Sequence, residues 1–200
     1  MSTELIVALV SSCLTAIIGP IALQIFKNKL EKNGKDVLKD SLKTNTLVCN
    51  KIEEIKEHYK LDRVWITQFH NGGNFYPSGK SIQKFSMFYE TLNRGAESIQ
   101  QGFQNIPISL FSNPINYLLE ENVLCISDFK DETVATHGLK YIAEENGCKS
   151  SYMFAIKTID NKFIGVLGAD YIRKKSLLTE DEITSLLVEA SAIGGVLEAK

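Results

Sequence analysis

The residues best suited to chemistry lie in Phe69-His70-Asn71-Gly72-Gly73. A strand that ends in His-Asn and runs into two glycines sets polar groups at a rim where backbone can approach a ligand closely. Any strand-ending turn would use the same Asn-Gly-Gly, so the run supports both readings. Aromatic residues are dense nearby, at Phe75, Tyr76, Phe85, Phe88, Tyr89, Phe103 and Phe111. Strict alternation predicts Phe85, Met87 and Tyr89 on one strand face. A face of that kind buries large area and is ordinarily core. In its functional form it lines an apolar pocket with a few polar anchors, here His70, Asn71 and Asp128. If Phe85, Met87, Tyr89, Phe111 and Tyr152 instead fill that space, the domain is a scaffold.

Several chemistries lack their residues. His58, His70 and His137 have no ligand spacing to one another or to cysteine, so no metal site is expected. G-x-S-x-G, a glycine-rich phosphate loop and a framed carboxylate pair are all absent from the sequence, and no catalytic residue is assigned. No cofactor is implied. The formal net charge is -2, and the only clustered cations follow the N-terminal apolar run, which excludes a nucleic-acid surface. Cys13, Cys49, Cys125 and Cys148 show neither metal nor disulfide spacing and are expected to be reduced and mostly buried.

The elements that must position these residues begin with an address. Leu5 to Phe26 contains no charged residue. At about 1.5 Å per residue it is long enough to cross a hydrocarbon core roughly 30 Å thick. Lys27, Lys29, Lys32, Lys35, Lys39 and Lys43 follow at once. Lys and Arg resist translocation, so this flank is cytoplasmic and suits anionic head groups. The expected layout is an anchor over 1–27, a connecting helix over 28–59 and a domain over 60–200. The N-terminus would lie outside the cell membrane and the domain in the cytoplasm.

The connecting helix is expected from Lys35 to Tyr59. Leu38, Leu42, Asn45, Cys49, Ile52 and Tyr59 approximate a heptad seam, widened by Val48 and Ile55. That seam would serve a homodimer, with Asn45 fixing register, or lay one face on its own domain. From Arg63 the period becomes two, with Val64, Ile66 and Gln68 alternating with Trp65, Thr67 and Phe69. A second strand is expected around Lys84 to Leu92, then an irregular lid over Gly95 to Pro107. Ser109 to Glu121 follows as a helix with Ser112 as a candidate cap and Pro114 in its first turn. Val123 to Asp128 is a short strand in which Cys125 is a small core residue. Thr136 to Glu145 is a short helix. Ser151–Thr158 and Phe163–Ile172 form a hairpin across Ile159-Asp160-Asn161-Lys162. Thr179-Glu180-Asp181-Glu182 is a capping box that opens a final helix. Its Ala190, Gly194 and Gly195 leave room for close approach to the connecting helix. The class is α+β, a central antiparallel sheet flanked by helices.

The C-terminal half joins VLCISDF, a short helix, NGCKSSYMFAIKT, a turn, FIGVLGADYI and a helix opened by LLTEDEI. This succession resembles the "GxxSxxxxP", "GVLxx" and "FTxxDxxxL" series of GAF domains. The likeness is good over Val123 to Leu197 and weaker over Asp62 to Glu121. It implies a ligand pocket between the sheet and the crossover segments, and identifies a fold and not a chemistry. The departures are informative. The usual proline is replaced by Ala155 to Thr158. Asn161-Lys162 lies one strand too early for the cyclic-nucleotide motif, where Tyr171-Ile172 stands. No cysteine has the neighbouring His that bilin attachment needs. GAF-fold reductases of methionine sulfoxide keep a nucleophile near the position of Cys148, which makes it the one redox candidate. In size the chain resembles some anchored GAF-like proteins encoded by bacteriophages. The function expected is recognition of a small molecule or a protein partner without catalysis. The alternatives are a structural scaffold at the membrane and a thiol reductase.

Overall fold

Asp36 opens the first well-defined helix: its Oδ1 accepts the Lys39 N–H at 3.1 Å, satisfying one of the donors a helix start leaves free. The helix, α1 (Val37–His58), belongs to a computed structural model that describes residues 19–25, 36–75, 77–130 and 139–198. The chain divides into two units, Met1–Ser41 and Leu42–Lys200. In the first, residues 19–25 are helical. The rest of the expected anchor, and residues 28–35 of the expected connecting segment, lie outside the described residues. Among the described residues, no helix is long and apolar enough to cross a membrane.

The second unit is built on six strands, β1 (Arg63–Asn74), β2 (Ser81–Leu92), β3 (Ile106–Pro107), β4 (Val123–Ile126), β5 (Ser150–Lys157) and β6 (Phe163–Tyr171). They form one sheet in the order β3-β2-β1-β6-β5-β4, antiparallel at each neighbouring pair. Between β3 and β4 run a 3-10 turn (Ile108–Phe111) and α2 (Ser112–Glu121). α3 (Lys140–Glu145) precedes β5, and α4 (Glu180–Glu198) closes the chain.

Period-two alternation sorts the strands onto two layers. Val64, Ile66, Phe154, Ile156, Leu167 and Ala169 face α1 and α4, packing on Val48, Ile52, Ile55, Leu186, Ala190 and Ile193. Met153 and Val166 face the other way, toward Leu118 of α2, Phe129, Leu139 and Ala143 of α3. Burying each large aliphatic side chain contributes about 1.5–3 kcal/mol, so both layers hold the sheet firmly.

Several expectations stand. The hairpin β5–β6 turns where expected, with Asn161 at φ 60° and its N–H bonded to the Thr158 carbonyl at 2.9 Å. The capping box forms: the Glu182 N–H reaches Thr179 Oγ1 at 3.3 Å, and the Thr179 N–H reaches Glu182 Oε2 at 2.8 Å. Others change. β1 continues through Gly72 and Gly73 to Asn74: the pairing with β2 skips the two glycines at a register shift and resumes at Asn74 with Ser81. Ser112 is the first helical residue and donates its hydroxyl to the Ser109 carbonyl, so it is no cap. The close approach of α4 is to a strand, not to α1: a Cβ on Gly194 would collide with the Lys157 carbonyl of β5. The seam of α1 divides, with Ile52 and Tyr59 buried on their own domain, while Leu42 and Cys49 are exposed. Asn45 instead accepts the Tyr89 hydroxyl at 2.6 Å. Cys49 and Cys125 are both exposed, leaving Cys148 as the buried thiol among the described cysteines. Cys125 sits on edge strand β4 with its side chain away from the core layer that holds Leu124 and Ile126.

Candidate functional site

A cavity of about 100 Å³ lies between the second face of the sheet and the segments that cross over it. β1 and β2 supply its aromatic and thioether walls. Phe69, Phe85 and Met87 line it from the sheet, and Phe103 and Phe111 from the crossover. Phe85 meets Phe111 edge-to-face at 5.4 Å between ring centres and stacks on Phe103 at 6.5 Å, arrangements that favour aromatic pairs. Leu118 of α2, Ala143 of α3, Met153 and Val166 close the remaining sides.

One end of this apolar space is polar. Arg63 and Asp170 are cross-strand partners of β1 and β6, both nearly inaccessible, and Arg63 Nε donates to Asp170 Oδ2 at 2.8 Å. The same oxygen takes the Trp65 Nε1–H at 3.0 Å, and Oδ1 takes the Ser151 hydroxyl at 2.6 Å. A buried ion pair survives only when its spare atoms are bonded in this way. Gly168 leaves the space for Trp65: a Cβ there would sit inside the indole ring. Further along β1, Thr67 also lines the cavity, 4% exposed, between Met87 and Val166. Its hydroxyl has no hydrogen-bond partner among the described residues.

The roof is the irregular segment 93–105; the lid expected over Gly95 to Pro107 covers most of it, but its last two residues, Ile106 and Pro107, form β3. It contributes Ile99 and Phe103 to the cavity. Glu90 of β2 latches it, accepting the Ile99 N–H at 3.0 Å and the Ser98 hydroxyl. Gln104 donates to the Met87 carbonyl at 2.7 Å, and Arg63 Nη1 to the Glu97 carbonyl at 3.3 Å. Arg63 therefore holds the floor and the roof together.

Of the expected pocket residues, Phe69, Phe85, Met87 and Phe111 line the cavity, as does the redox candidate Cys148. Tyr89 does not. A bulge at Phe88, where Ile66 pairs with Tyr89 but Thr67 with Met87, switches the strand's alternation and turns Tyr89 to the α1 layer. Tyr152 lies in that layer too, its hydroxyl accepting the Leu178 N–H at 3.1 Å. His70 lies outside the cavity, bonded through Nε2 to Ser86 Oγ at 2.9 Å, and Asn71 is exposed. Asp128 pairs with Lys175 at 2.8 Å on the surface, which lowers its pKa. Cys148 is held as a thiol: burial pushes it far above the ordinary range, and its Sγ donates to the Ser150 carbonyl at 3.4 Å. A thiol so protonated is a poor nucleophile. Among the described residues no three His, Cys, Asp or Glu side chains converge as metal ligands.

Sequence reasoning missed Arg63, Thr67 and Asp170. Their signal was present: each falls in period with cavity-facing positions, Arg63 and Thr67 with Trp65 and Phe69, Asp170 with Val166 and Gly168.

No family model matches the sequence, and no curated protein matches it either. Solved structures do. The chain is similar to a far-red cyanobacteriochrome photoreceptor, with a TM-score of 0.60 at 15% identity, over 86% of this chain and 95% of that one. It is similar to the blue-light absorbing form of the Thermosynechococcus elongatus PixJ GAF domain, with a TM-score of 0.61 at 15% identity, over 82% and 89% of the two chains. A phycocyanobilin-bound GAF domain from a cyanobacterial phytochrome gives 0.59 at 17% identity, over 78% and 85%. The fold is that of a GAF domain.

Proposed function

We propose that this GAF-fold chain is a sensory binding module that holds a small molecule in the cavity beneath the 93–105 segment and does no chemistry on it. The observation that carries this reading is the cavity itself, apolar on most sides and closed at one end by the bonded Arg63–Asp170 pair. GAF-fold neighbours that hold a bilin support a binding role in general. At about 100 Å³ the space is well below the roughly 300–1,000 Å³ of drug-sized sites, so its ligand is compact. The protonated state of Cys148 speaks against the reductase alternative. The apolar run Leu5–Phe26 and the lysines after it support a cytoplasm-facing membrane tether. Exposed Leu42 and Leu47 on α1 support a homodimer through that helix. Ligand occupancy would then be passed to another chain at the membrane.

A thermal-shift screen of compact fragments on the full chain in detergent tests the binding role. A fragment at ten times its Kd adds about 1.4 kcal/mol, which raises Tm by about 3–6 °C. Val166→Phe puts a ring into the cavity and is expected to abolish those shifts. If no fragment shifts the native chain more than the Val166→Phe variant, the cavity is not a binding site, and the scaffold reading replaces this one.

A further inference from the structure

The hydroxyl of Thr67 stands out in the cavity wall. It is nearly inaccessible, lies between two apolar side chains, Met87 and Val166, and has no partner among the described residues. Burying a hydroxyl without a hydrogen bond is unfavourable, so such groups are ordinarily paired. Other polar side chains at the cavity are committed elsewhere. Asp170 takes three donors, and Asn146 Nδ2 donates to the Ile142 carbonyl at 2.7 Å. Charge is balanced as well, since Arg63 and Asp170 neutralise each other within the fold. A second buried anion or cation would enter with no counter-charge of its own, which costs far more than an uncharged group. Size gives the last constraint. A cavity of about 150 Å³ admits benzene, and the space here is about 100 Å³.

We infer that the cavity takes an uncharged molecule of one small ring or a short branched chain, whose single carbonyl or hydroxyl oxygen bonds to the Thr67 hydroxyl. This rests on the binding role proposed above and assigns the ligand class for that same site. The apolar body of the ligand packs against Phe85, Met87 and Phe111, and its oxygen supplies the partner that the buried Thr67 hydroxyl lacks among the described residues.

Trp65 lines the cavity and is the single tryptophan of the sequence, so its fluorescence reports occupancy directly. The full chain in detergent is titrated with cyclopentanone, cyclopentanecarboxylate and cyclopentane, which share a ring and differ in oxygen and charge. Cyclopentanone is expected to bind at least tenfold more tightly than either. Thr67→Val keeps the shape and removes the hydroxyl. It is expected to erase the preference for the ketone over the hydrocarbon while leaving cyclopentane binding unchanged, and to raise Tm in the absence of any probe. A preference for the carboxylate, or a ketone affinity that Thr67→Val does not alter, overturns the assignment. So does silence of all three probes. Where other fragments still distinguish the native chain from Val166→Phe, the binding role survives that failure; where none does, both fall together.

Discussion

Asp62 shows how one side chain can fasten the ends of the sheet's two central strands, β1 and β6. Its carboxylate accepts the backbone N–H groups of Ile172 at 2.8 Å and Arg173 at 2.9 Å, together with the Arg173 guanidinium. Burial raises its pKa, but those bonds outweigh burial and hold it below the ordinary carboxylate value. The folded pKa is thus lower than the unfolded one, so Asp62 stabilises the protein fully above about pH 4 and loses that contribution as pH falls through the lowered value. Chemical denaturation of the native chain and Asp62→Asn is expected to show a stability gap at about pH 6 that narrows by about pH 3. A gap independent of pH would show that Asp62 acts through shape and not charge. Residue identity alone made such sites hard to read. Period-two spacing correctly set Trp65, Thr67 and Phe69 on one face. Which polar residues on that face would find partners depended on β6, far away in sequence. His70 and Asn71 drew notice through their local run, yet they sit beyond the cavity because β1 extends past it.

Among the elements, the clearest readings were those with local causes. The Thr179 capping box and the β5–β6 turn each follow from neighbours in the chain and formed as the sequence implied. The bulge at Phe88 did not show, since nothing in Phe85 to Tyr89 marks where a ladder will slip. The roof segment 93–105 was legible as irregular but not as latched. Its hold on β2 depends on Glu90, and Glu90→Ala is expected to leave the sheet intact while speeding hydrogen exchange at the Ile99 amide by at least tenfold. That rise corresponds to about 1.4 kcal/mol of lost local protection, at the lower edge of what a hydrogen bond to a charged group contributes, about 1.5–3 kcal/mol. Equal exchange in both proteins would assign the closed roof to Ile99 and Phe103 packing alone.

For the whole molecule, fold class was the most legible property, because alternating and helical periods in order already implied an antiparallel sheet covered by helices. The order of its strands was not legible, and the seam of α1 was open to two roles, since both depend on which faces meet. α1 buries Val48, Ile52 and Ile55 in its own domain and leaves Leu42 at 57% and Leu47 at 48% exposure. A helix so divided can serve its own fold at one end and a second copy at the other. Removing residues 1–33 and measuring mass in solution by light scattering is expected to give a dimer, and Leu42→Glu with Leu47→Glu a monomer. A chain that stays monomeric at high concentration before those substitutions would sink the proposed assembly.

The Phe88 bulge carries a consequence for how such a domain can diversify. On its near side β2 presents Phe85 and Met87 to the cavity, while on its far side Tyr89 and Thr91 hold α1 through Asn45 and Glu53. An unbroken strand would have tied both tasks to one face. Here a single extra residue separates them, so selection can reshape the chamber while the grip on the helix is inherited unchanged.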